Sequence, residues 1–116
     1  MFSLGTSHRY LLYRKVTDFR KGFDGLCGLV RNELDRDPSS GEVFVFVNRP
    51  RNRIKLLHWQ HGGFVLYYKR LEEGTISLPE PGPQAASCTL SFPDLVMMIE
   101  GISFEKVVRK PRYLMT

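Results

Sequence analysis

At 116 residues, with 42% apolar and 25% charged residues, the chain has the composition of an ordered domain with one hydrophobic core, which excludes global disorder and a second catalytic domain. Its longest apolar runs, at 43–47 and 95–99, fall far short of the roughly 20 residues that cross a bilayer, and residues 1–13 do not resemble a secretory signal, so a cytoplasmic protein is expected. The net charge of +5 is segregated: residues 43–71 carry six basic side chains (Arg49, Arg51, Arg53, Lys55, Lys69, Arg70) and no acidic one, whereas 72–105 carry six acidic and no basic ones.

Residues 10–16 are compact in Tyr, Leu and Val and read as a first strand. It ends at Thr17-Asp18, a pair suited to a helix N-cap and a negatively charged first turn. From there Phe19, Phe23, Leu26, Val30 and Leu34 recur at intervals of four and three, which places them on one stripe of an amphipathic helix. Gly22, Gly25 and Gly28 each cost up to about 1 kcal/mol relative to Ala inside a helix. Close packing on a sheet or a kinked, late-starting helix would offset that cost. The functional alternative is a backbone approach to phosphate.

Turn formers at 37–41 stop the helix. Residues 42–47 alternate Val and Phe, as expected of a central strand covered on both faces. A basic loop around Pro50 leads into a strand over 53–59, a turn at 60–63 and a third meander strand over 64–71. With His61-Gly62 as a two-residue turn, Trp59 faces Phe64, Leu57 faces Leu66, Lys55 faces Tyr68 and Arg53 faces Arg70, all on one side of the sheet. That side runs from apolar near the turn to cationic at the far end. Residues 74–78 read as a short strand, the prolines at 79, 81 and 83 as an exposed connection, and 88–92 as a last strand. Pro93-Asp94 opens a second helix with Leu95, Met98, Ile99 and Ile102 inward. The expected fold is α+β: a mostly antiparallel β-meander sheet packed by one N-terminal Gly-containing helix and a short C-terminal helix. One domain spans 1–105, followed by a basic tail at 106–116.

Catalytic chemistry finds no constellation here. Asp18 and Asp24 stand six residues apart with no third acid near, short of the converging carboxylates of a two-metal site. His8, His58 and His61 lack ligand spacing, and Cys27 and Cys88 belong to no CxxC pattern, so two free thiols are expected. Cys27 also lies beside the apolar stripe, unlike a paired nucleophile. The expectation is a non-catalytic protein with no metal and no cofactor.

Four segments carry a resemblance: Thr17-Asp18-Phe19-Arg20-Lys21-Gly22-Phe23-Asp24-Gly25-Leu26, Gly41-Glu42-Val43-Phe44-Val45-Phe46, Arg53-Ile54-Lys55-Leu56-Leu57 and Tyr67-Tyr68-Lys69-Arg70-Leu71-Glu72-Glu73-Gly74. In that order, and with Ile99-Glu100-Gly101-Ile102 closing the match, they resemble the TnpB family, the accessory proteins of the second open reading frame in bacterial insertion sequences of the sixty-six family. The resemblance covers about residues 10–104. It implies a protein encoded beside a larger transposase that carries the cut-and-join active site, and needed for efficient transposition. It marks Arg20, Lys21, Arg53, Lys55, Lys69 and Arg70 as the basic positions. Gln60-His61 departs from the family, which often has an aspartate in this turn.

The residues themselves point to nucleic acid. Arg20, Lys21, Arg49, Arg51, Arg53, Lys55, Lys69 and Arg70 are candidates for phosphate contacts, with Tyr68, Tyr67 or Trp59 stacking on an unpaired base. Neither a helix-turn-helix nor a zinc-finger pattern is present, so weakly sequence-specific DNA binding is expected. The alternative is a protein–protein adaptor that docks on the transposase without touching DNA, using the same aromatic and Arg-rich surface. Homo-oligomerisation is left open, and no membrane partner is expected.

Overall fold

The computed structural model describes residues 5–79 and 85–101. In chain order the elements are strand β1 (Tyr10–Tyr13), helix α1 (Phe23–Asn32), strands β2 (Val43–Val47), β3 (Arg53–Gln60), β4 (Gly63–Arg70) and β5 (Ser87–Leu90), and helix α2 (Phe92–Glu100). One five-stranded sheet results, ordered β4-β3-β2-β1-β5. The pairings are antiparallel except β1 with β2, which are parallel because the connection through α1 returns the chain to the same end of the sheet.

Both faces of the sheet are covered, and period-2 alternation sorts the side chains between them. On one face Leu11, Tyr13, Phe44, Phe46 and Leu57 pack against Leu26, Cys27 and Val30 of α1. On the other, Leu12, Val43, Val45, Ile54 and Leu56 pack against Leu95 and Met98 of α2 and against Ile76. β2 lies in the middle, and all five of its residues are buried, as its unbroken Val/Phe run predicts. The β3–β4 register is also the expected one, with Trp59 opposite Phe64, Leu57 opposite Leu66, Lys55 opposite Tyr68 and Arg53 opposite Arg70. Its two-residue turn has His61 at φ 52° and Gly62 at φ 82°, the left-handed pair that a tight hairpin needs. Cys27 and Cys88 are free thiols in the opposite cores.

Four sequence expectations differ. β1 stops at Tyr13, and α1 starts at Phe23 with Gly22 at its N-cap, so Thr17, Asp18 and Phe19 lie in a loop before the helix. The reason is a distant side chain: the Lys55 ammonium donates to the carbonyls of Phe19 and Lys21, both at 2.9 Å. In a helix those carbonyls would accept from N–H groups one turn on. Gly25 then admits the loop, since a Cβ there would lie 2.9 Å from Lys21 Cβ. Residues 74–78 form no strand; Ile76 is buried and its N–H donates to Arg51 O at 2.6 Å. β5 ends at Leu90, which frees Ser91 to cap α2 by accepting from the Asp94 N–H at 3.2 Å. Ile102 and the basic tail at 106–116 lie outside the described residues.

Candidate nucleic-acid interface

Registers gather the basic residues at one end of the sheet. β1 runs parallel to β2, Val47 pairs with Ile54, and Arg53 pairs with Arg70. The carboxyl ends of the two parallel strands therefore share an edge with the start of β3 and the end of β4. Loops that leave neighbouring parallel strands at their carboxyl ends commonly enclose a crevice. Here they enclose an open groove of about 570 Å3. Residues 16–20 form one bank, and Asn48, Arg49, Pro50 and Arg53 form the other.

Backbone and side-chain hydrogen bonds fix both banks. The Thr17 N–H donates to Val47 O at 3.1 Å, tying the first bank to the end of β2. In the second, Asn48 Oδ1 accepts from the N–H groups of Asn52 and Arg53, both at 3.0 Å, while its Nδ2 donates to Asn52 Oδ1 at 2.8 Å. Arg51 takes a left-handed φ of 57° to complete the loop.

Three of the expected basic residues line the groove: Arg20, Arg49 and Arg53. Arg20 forks onto Asp18, with Nη2 at 2.7 Å from Oδ2 and Nε at 3.1 Å from both carboxylate oxygens. Those hydrogen bonds hold the Asp18 carboxyl at a pKa of about 2. Arg53 Nη1 donates to Tyr68 Oη at 3.0 Å. Tyr68 is 47% exposed and stands edge-on to Phe19 with ring centroids 5.8 Å apart. Arg49 is exposed and makes no side-chain hydrogen bond or ion pair among the described residues.

The other expected residues fall elsewhere. Arg51 lines a small neighbouring cleft with Arg14 and Lys15, separated from the groove by Val16 and Asn48. Lys21 is exposed outside the groove. Lys55 is not on the cationic surface: it is 4% exposed, and its ammonium sits within 4.9 Å of the Phe19 and Tyr68 ring centroids as well as on the loop carbonyls. Lys69 follows the alternation to the α2 face and stands 3.9 Å from Glu100. Arg70 faces the same side as Arg53 but is held by Glu72 at 2.8 Å. Of the aromatics, Trp59 lies at the hairpin end against Phe64, and Tyr67 packs toward the α2 core.

Sequence reasoning missed Thr17, Asn48 and Pro50 as groove residues. Thr17 is 3% exposed and its hydroxyl has no hydrogen-bond partner among the described residues. The Asn48-Arg49-Pro50 run did carry a signal, because Asn and Pro favour ordered turns.

Among the described residues, no three His, Cys, Asp or Glu gather to hold a metal, and no helix is long and apolar enough to cross a membrane. The structure thus defines a small α+β domain with a cationic groove at the carboxyl end of its parallel strand pair. The chain belongs to the family described as IS66 Orf2 like protein, which matches residues 8–109. That family is one of insertion-sequence accessory proteins. Two similar proteins come from Sinorhizobium fredii strain NBRC 101917 / NGR234, and both are described as uncharacterized. The protein y4jC is 31% identical over 103 residues, covering 89% of this chain and 86% of its own. The protein y4hO is 30% identical over 105 residues, covering 90% of this chain and 89% of its own. No solved structure matches the chain.

Proposed function

We propose that this protein is a non-catalytic accessory factor of insertion-sequence transposition that acts in the bacterial cytoplasm and binds DNA through the groove at the end of its sheet. The observation that carries the reading is the convergence of Arg20, Arg49 and Arg53, from the β1–α1 loop, the β2–β3 loop and the start of β3, on one open crevice. Like charges brought together repel one another, and a polyanion relieves that repulsion. Guanidinium forks suit phosphate oxygens, and Tyr68 beside Arg53 offers a ring to an unpaired base. The loops around the groove offer no helix for the major groove, so the contacts are to backbone phosphates and the binding is weakly sequence-specific.

Fluorescence anisotropy with duplex and single-stranded DNA tests this reading. Replacing Arg49 and Arg53 together by Ala should weaken binding and flatten the salt dependence by about one unit of slope per lost phosphate contact. An unchanged titration would overturn the proposal.

A second reading, an adaptor that docks on the transposase, draws on Tyr68, which is 47% exposed beside Arg53, and on Phe23, 46% exposed at the start of α1. Co-purification with the transposase that survives nuclease and high salt would favour it.

A further inference from the structure

The groove already contains one anion, and it comes from the chain itself. Asp18 and Arg20 both line the crevice, and the carboxylate spans the guanidinium fork through Nε and Nη2. This is the two-point geometry in which a guanidinium takes two oxygens of a phosphate. The pair stands where solvent reaches it, with side chains 92% and 44% exposed for Arg20 and Asp18, so an incoming ligand can displace it without opening the core. Beside it the buried Thr17 hydroxyl has no hydrogen-bond partner among the described residues. Across the groove Arg49 and Arg53 supply the charge that would draw a competing anion in.

We infer that Asp18 is a resident stand-in for a phosphodiester: its carboxylate holds the exposed Arg20 guanidinium at the lip of the groove and yields it when a backbone phosphate of a DNA strand enters. The inference rests on the DNA-binding reading and deepens it, since it names the group that Arg20 receives and the residue that withholds it. A surface ion pair is weak enough to exchange. Displacement leaves Asp18 ionised among phosphates without its partner, which opposes binding; this internal competitor therefore sets the affinity low. Arg49, which has no carboxylate on it among the described residues, makes the first contact, and Arg20 joins afterwards.

Asp18→Asn separates competition from folding, because an amide Oδ1 still accepts the Arg20 N–H that Asp18 Oδ1 accepts at 2.9 Å and so keeps the turn. Anisotropy titrations with a fluorescent single-stranded oligonucleotide and with a duplex of the same sequence would compare four proteins: the natural chain, D18N, R20Q and D18N/R20Q. D18N should bind up to about fivefold tighter, the upper end for releasing an exposed ion pair, and should steepen the log–log salt slope by about 0.9. The gain should vanish in the R20Q background. In the natural protein, carboxyl NMR should show Asp18 moving up from about 2 toward the ordinary carboxylate range when DNA is added. An equal gain with and without Arg20 would show only general charge and overturn the inference, as would D18N binding no tighter than the natural chain while R49A/R53A still weakens it. If no DNA binds any of the four proteins at low salt, the DNA-binding reading itself falls, and the inference with it.

Discussion

The Lys55 ammonium donates to the Phe19 carbonyl at 2.9 Å and sits 4.8 Å from the centroid of the same residue's ring, so one sheet cation grips both the backbone and the side chain of one loop residue. A buried charge of this kind is tolerated only when carbonyl oxygens and ring faces replace its water. Lys55→Met should therefore destabilise the fold by about 2–3 kcal/mol, the range for hydrogen bonds to a charged group, read as a lowered urea midpoint at unchanged m. A loss below about 0.5 kcal/mol, the size of an ordinary surface substitution, would show that the loop is held by other contacts.

Arg49 and Arg70 differ in where they stand. Arg49 lines the groove, whereas Arg70 lies outside it with Glu72 at 2.8 Å. Arg49→Ala should weaken DNA binding and lower the salt slope by about 0.9, and Arg70→Ala should change the slope by less than about half of that. Equal effects from the two variants would mean that the groove is not the contact surface.

His58 gives stability a pH dependence. It is 4% exposed, and its pKa is lowered from 6.5 first by desolvation and then by the nearby His8, with a hydrogen bond to the Gly41 backbone acting the other way. An unfolded chain takes up a proton at this site near 6.5, while the folded chain does so only at lower pH. Below 6.5 the unfolded state thus binds more protons, and stability falls as the pH drops toward the folded pKa; above 6.5 this contribution is fully present. Urea midpoints at pH 7.5 and 5.5 should decrease in that order, and His58→Gln should reduce the difference.

The β3–β4 hairpin holds a correctable strain. His61 occupies a left-handed position at φ 52°, ahead of Gly62 at φ 82°. Asn is the preferred residue at the first of two such positions, so His61→Asn should stabilise the protein by about 0.5 kcal/mol. A raised thermal midpoint would verify it, and a lowered one would show that the imidazole has another role.

Local pattern made most of the sheet legible. Val43 to Val47 announced a strand buried on both faces, and the length of the His61-Gly62 turn fixed every pairing between β3 and β4. What stayed hidden depends on contacts distant in sequence. Thr17-Asp18 satisfies the composition of an N-cap, yet the helix waits until Phe23 because Lys55, 36 residues beyond Phe19, claims the intervening carbonyls. Arg53 and Lys55 share one face of β3 and look alike in an alternation pattern. Depth separates them: Arg53 opens the strand at the sheet's end, and Lys55 lies one step inside, beneath the loop that carries Arg20. Charge alone puts Arg20 and Arg49 among the same candidates; it is the parallel pairing of β1 and β2 that brings their loops to one groove.

That parallel pairing has a consequence for how the protein matures. The two banks hang from β1 and β2, which meet only after the chain has travelled out through α1 and back. A nascent polypeptide that ends before Val47 lacks the second bank, and a fragment that begins after Tyr13 lacks β1, the strand from which the first bank hangs. The groove is thereby assembled only where both parallel strands are present, so neither premature termination products nor proteolytic pieces that lack one of them can present it.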